Sequence, residues 1–114
     1  MMPSEQIRSA VRVLVKQLVA GEYDALVAGV KESRLSSEDM RQCVEQYGRT
    51  LVLPLDLACS ELDIVEGVDA DTPTWSVRMP LWTREEGKSD LVLELTTYLG
   101  NSGTEIELDD LHVL

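Results

Sequence analysis

The sequence predicts an α+β fold, with three N-terminal helices packed on a curved antiparallel sheet of about four strands. Apolar residues recur at the helical period up to residue 48, then at a period of two after Thr50. Gly21, Gly48 and the cluster at 100–103 stand where such elements would stop.

The first helix is expected over 4–20. Ile7, Val11, Leu14 and Leu18 make one apolar stripe, with Arg8, Arg12 and Lys16 as a polar row. Pro3 and Ser4 suit its start, and Gly21 its end. Tyr23, Leu26, Val27 and Val30 give a second, short helix over about 23–32. The third, over 37–47, has the clearest local signal. Ser36 and Asp39 form a capping box, and Leu35 and Met40 are spaced to close a hydrophobic staple around it. Met40, Cys43, Val44 and Tyr47 then line one face.

Strands are expected near 62–68, 74–83, 90–99 and 104–113. Trp75, Val77, Met79 and Leu81 alternate with Ser76, Arg78, Pro80 and Trp82, and Leu91, Leu93 and Leu95 alternate with Val92, Glu94 and Thr96. Pro80 cannot donate to a ladder, so it needs an edge or a bulge. Residues 69–73 and 100–103 read as turns. In the last strand Ile106 and Leu108 set a phase that Leu111 and Val113 break, which calls for a β-bulge at Asp109 or Asp110. Residues 51–60 fit neither period. Helices followed by a long meander suggest a cone-like wrap, as in nuclear transport factor 2-like or cystatin-like folds.

Length and composition set the frame. The 114 residues suit one domain spanning 1–114, large enough for a real core. With no Phe, that core must be built from Leu, Val and Ile. Cys43 and Cys59 have no spacing that specifies a disulfide. Charged residues interrupt the N-terminal apolar pattern, so neither a signal peptide nor a membrane span is expected, and the expected location is cytoplasmic.

Charge is distributed unevenly. Residues 1–49 hold seven acids and seven bases, whereas 50–114 hold fourteen acids and three bases, which places the whole net charge of −11 in the second part. Such a surface repels nucleic acid and attracts basic proteins.

No catalytic set, metal spacing or cofactor motif emerges from the chain, and none is predicted. The binding candidates are Trp82, Arg84, Glu85, Glu86, Asp109, Asp110 and His112. Asp109, Asp110 and His112 could pair an acid with an imidazole, but in a regular strand Asp109 opposes the other two, so only the bulge would bring them together. The same acids could equally guard a solvated strand edge. The 83–90 loop carries both charge signs and reads as a recognition loop or as a polar hairpin connection. Trp82 beside it is a natural anchor for a partner. A docking surface would gather the carboxylates of 85, 86, 105, 107, 109 and 110 near Trp82.

Two segments, LWTREEGKSDL at 81–91 and DDLHVL at 109–114, resemble a family of small bacterial proteins of unknown function. Looser likeness at 18–23 and 48–51 extends the resemblance over most of the chain. It implies a bacterial, cytoplasmic protein and carries no activity onto any residue. The functional expectation is a non-catalytic acidic binding module, such as an immunity-type inhibitor of a basic toxin or nuclease. The alternative is a small-molecule-binding cone-like domain, or an enzyme of that shape, with Trp82, Asp109 and His112 lining its mouth.

Overall fold

The structure is a computed structural model that describes residues 3–53, 62–67, 74–100 and 103–114. Its elements are α1 (Pro3–Val19), α2 (Tyr23–Gly29), β1 (Glu32–Ser33), α3 (Ser37–Tyr47), β2 (Leu51–Val52), β3 (Asp63–Glu66), β4 (Thr74–Thr83), β5 (Gly87–Gly100) and β6 (Gly103–Val113).

The apolar stripe of α1 is fully used, since Ile7, Val11, Leu14, Val15 and Leu18 are all buried. The helix closes with paired backbone bonds, Glu22 N–H to the Gln17 carbonyl (2.9 Å) and Gly21 N–H to the Leu18 carbonyl (3.1 Å). This arrangement needs a left-handed residue, and Gly21 supplies it at φ 75° without a Cβ penalty. In α3 the capping box is complete: Ser36 Oγ accepts from Asp39 N–H and Asp39 Oδ2 accepts from Ser36 N–H, each at 3.0 Å. Met40 is buried and Leu35 packs against the core, as the staple requires.

The second helix is shorter than its apolar pattern suggests. It ends at Gly29, and Val30 is already extended. The backbone has a better partner there, because Lys31 N–H and Arg34 N–H donate to the Ile106 and Leu108 carbonyls at 2.7 and 2.9 Å. The segment between them becomes β1, which pairs in parallel with β6.

Among the described residues the sheet has six strands in the order β1-β6-β5-β4-β2, with β3 also paired to β4. It is mixed, because β1 runs parallel to β6 while the other pairings are antiparallel. This corrects the expectation of a four-stranded, wholly antiparallel, cone-like sheet of the nuclear transport factor 2-like or cystatin-like kind. The two unexpected strands hold two residues each, too few to display a period of two.

One face of the sheet joins the helices in a core of Val77, Met79, Leu81, Leu91, Leu93, Leu95, Ile106, Leu108 and Leu111 with the stripe of α1, Leu26 and Met40. Both sheet irregularities have local causes. The ladder between β4 and β5 is interrupted between Pro80 and Trp82, beside the residue that lacks a donor. The Leu81 carbonyl there accepts the Ser89 hydroxyl at 2.8 Å. Between β5 and β6, Leu95 faces Leu108 and Glu94 faces Asp110, so Asp109 is the extra residue of the expected bulge. Leu108 and Leu111 are both buried, three positions apart.

Cys43 Sγ donates to the Leu111 carbonyl (3.3 Å), and burial, aided by the Asp110 charge, pushes its thiol up. Cys59, the ambiguous residues 54–60 and the expected turn at 69–73 lie outside the described residues, as do Asn101 and Ser102. No described helix is long and apolar enough to cross a membrane.

Candidate functional site

The face of the sheet turned away from the core carries the charged alternates of β4, β5 and β6. Register places four of them in one row across four strands: Asp63 opposite Arg78, Arg78 opposite Glu94, and Glu94 opposite Asp110. The Asp109 bulge creates the last of these pairs. His112 stands two residues beyond Asp110, on the same face by the strand period. Its Nδ1 lies 3.0 Å from Asp110 Oδ2 and 3.3 Å from Glu94 Oε2. Neither contact is aligned as a ring N–H hydrogen bond, so this solvent-shielded nitrogen has no hydrogen-bond partner among the described residues.

The neighbouring acids are held in place. Thr96 Oγ1 donates to Asp109 Oδ2 at 2.6 Å, so the bulge turns Asp109 to the same face as Thr96. The Tyr98 hydroxyl donates to Glu107, and Lys31 Nζ sits 4.3 Å from the Tyr98 ring centre. The bond to Glu107, with burial and the charges of Glu107, Asp109 and Glu32 behind it, pushes the Tyr98 phenol up to about 12. Phenolate formation there would remove the donor and add another negative charge. A groove of about 420 Å³ opens on this face, walled by Asp63, Ser76, Arg78, Glu94 and Asp109 among others.

The 83–90 loop has a different occupation. Glu85 accepts from the Thr50 backbone N–H (2.8 Å) and hydroxyl (2.9 Å), and these bonds hold its carboxyl below the usual range. Glu86 Oε1 accepts from the Tyr47 hydroxyl at 2.8 Å. Arg84 contributes its backbone N–H to the Thr50 carbonyl (2.9 Å) and leaves its side chain exposed. The two acids thus latch the β4–β5 hairpin to the end of α3. Trp82 is half-buried at the root of the hairpin. Its ring lies beside Gly87, whose φ of 73° is a left-handed conformation that favours glycine. Trp75 is also half-buried and packs against the core.

The expected gathering of carboxylates around Trp82 is therefore not what the fold builds. Trp82 pairs with Lys88, whereas Glu105 pairs with Tyr98. Ten residues of β5 separate those two positions, roughly 33 Å at the rise of a strand. Asp110 and His112 do meet and are joined by Glu94, whereas Asp109 shares their face but bonds to Thr96; Arg78 and Asp63 continue the row across the sheet. Sequence reading passed over Glu94, Arg78 and Asp63. Alternation alone puts Glu94 on the outer face, but its partner depends on register, which the sequence leaves open.

A family model described as "Domain of unknown function (DUF7668)" matches residues 15–114. No curated protein and no solved structure matches the chain.

Proposed function

The chain belongs to this family of unknown function, and we propose that it is a non-catalytic module whose acidic outer sheet face binds a basic protein. In its most specific form the reading is an immunity-type inhibitor of a basic toxin or nuclease, in a bacterial cytoplasm. The observation that carries it is the cross-strand row with its flanking acids. Asp63, Asp90, Glu94, Glu107, Asp109 and Asp110 outnumber the bases Arg78, Lys88 and Lys31 on one face, with His112 among them. A pleated face of that sign attracts a cationic partner before contact and fixes its orientation on arrival. The groove beside the row has room for a lysine or arginine side chain, with Asp63, Glu94 and Asp109 around it against the one base Arg78.

Kinetics would test this. Once a partner has been copurified from the native host, association is measured at two salt concentrations for the native chain and for Glu94→Lys with Asp109→Lys. Reversal should slow association about tenfold or more at low salt, and added salt should erase the difference, because exposed charges are screened beyond about 8–10 Å. Reversing Glu85 and Glu86 instead should act through the loss of their bonds to Thr50 and Tyr47, and so lower stability. An association rate indifferent to both salt and the double reversal would refute the reading. The alternative of a small-molecule site draws support from the same groove, whose volume falls within the usual ligand range.

A further inference from the structure

Glu94, Asp110 and His112 each offer one ligand atom, and these atoms lie within 4.8 Å of one another. We infer that the three side chains form a binding site for a divalent transition-metal ion of the zinc class. The inference is independent of the docking reading, since it concerns the isolated chain.

The two distances from the imidazole nitrogen match those between neighbouring ligands of a coordination sphere. Metal–ligand distances of about 2.0–2.2 Å put neighbouring ligand atoms about 3.3–3.6 Å apart in a tetrahedral site and about 2.8–3.1 Å apart in an octahedral one. The imidazole nitrogen stands 3.0 and 3.3 Å from the two carboxylate oxygens. An ion pair or hydrogen bond could give similar lengths, but it would need the ring N–H aimed at an oxygen. The Nδ1 atom is shielded from solvent and makes no such bond among the described residues. A cation between the three groups would take up that lone pair and relieve the repulsion between two carboxylates on facing strands.

The fold supplies the rigidity such a site needs. Glu94 and Asp110 are opposed by the β5–β6 ladder, and His112 follows Asp110 at the strand period. Asp110 Oδ1 is occupied by the Leu111 N–H at 2.9 Å, which leaves Oδ2 to face the imidazole. Two carboxylates balance a divalent charge, and one neutral imidazole favours zinc, cobalt or nickel over magnesium or calcium. Three protein ligands leave the remaining positions to water or to an incoming donor group.

His112 is the only histidine of the chain, so its imidazole resonances need no assignment. The full chain with Cys43→Ser and Cys59→Ser, which removes thiol ligands, is titrated with Zn²⁺ against a chromophoric chelator and followed by ¹⁵N NMR of the imidazole. One equivalent should bind, moving the Nδ1 resonance and leaving the proton on Nε2. His112→Gln should weaken binding at least a hundredfold, and Glu94→Gln and Asp110→Asn at least tenfold each, with unchanged circular dichroism. Glu86→Gln, remote on the α3 latch, should leave affinity unchanged. The inference is overturned if the imidazole resonances stay fixed through one equivalent of Zn²⁺. Equal affinity in His112→Gln and Glu94→Gln overturns it as well, since two variants on separate strands would not both retain a site built from them. Equal displacement of the imidazole signals by Mg²⁺ would mark a diffuse acidic cloud and overturn it too.

Discussion

Deleting Asp109 should leave the fold standing, although it removes a residue from the middle of a core strand. In the native ladder Leu95 faces Leu108 and Glu94 faces Asp110, with Asp109 unopposed between them. Without Asp109 every one of those pairs survives, and alternation becomes regular: Leu108 inward, Asp110 outward, Leu111 inward. The loss is the Thr96–Asp109 hydrogen bond, about 1 kcal/mol for a charged acceptor on a partly solvated face. Against it stands one residue fewer to order, about 1–2 kcal/mol of backbone entropy. The net change should stay within about 1.5 kcal/mol.

Deleting Glu107, only two positions away, is the contrasting perturbation. If the N-terminal end of β6 keeps its register, fully buried Leu108 is driven to the outer face and Asp109 enters the core. If the C-terminal end keeps it, Ile106 is expelled and Glu105 is drawn in. Either way the cost is about 2–3 kcal/mol for the lost apolar burial and several more for an unpaired carboxylate. Urea unfolding of the two deletants against the native chain reads the difference directly. The register argument fails if deleting Asp109 costs more than about 3 kcal/mol, or if both deletions cost the same.

Two further outcomes follow from the titrating groups. The Thr50 bonds depress the Glu85 carboxyl, so its stabilising contribution is present above the ordinary carboxylate value and is lost as pH falls through the lower folded one. Glu85→Gln should therefore flatten the fall of Tm between about pH 5 and pH 3, and an unchanged slope would discard the latch. Tyr98 is raised instead, so its contribution is complete below about pH 10, the unfolded value, and is lost as pH rises through about 12. Ultraviolet titration should resolve a phenolate near pH 12 that disappears in Tyr98→Phe and moves down in Glu107→Gln. Ionisation of all tyrosines together near pH 10 would contradict the Glu107 bond.

What could be read from the sequence follows from how locally each feature is decided. The cap of α3 lies within four residues and was visible in full. The bulge was visible as a phase slip, because a break in alternation is written along one strand. Its consequence was not, because the pairing of Glu94 with Asp110 belongs to two strands at once. β1 and β2 are extended only because edge carbonyls and the end of β4 await them, and nothing in Glu32-Ser33 or Leu51-Val52 announces that. The partners of the 83–90 acids were not legible, because Thr50 and Tyr47, which occupy Glu85 and Glu86, are more than thirty residues distant. The cone-like expectation came from element order alone, which does not specify how many edges a sheet recruits.

The two-residue strand β1 has a bearing on how the molecule assembles. It joins the early part of the chain to β6, closing a loop of about seventy-five residues whose entropic cost, about 4 kcal/mol, cannot be met by two ladder steps alone. The β4–β5–β6 meander can zip through short turns, but α1 and α2 have no finished platform until β6 is docked. On a ribosome, the helical third therefore emerges first and waits, its apolar stripe uncovered, while the strands that will cover it are still being made. A nascent chain halted before residue 103 should bind chaperones and resist compaction, and release of β6 should complete both halves in a single cooperative step.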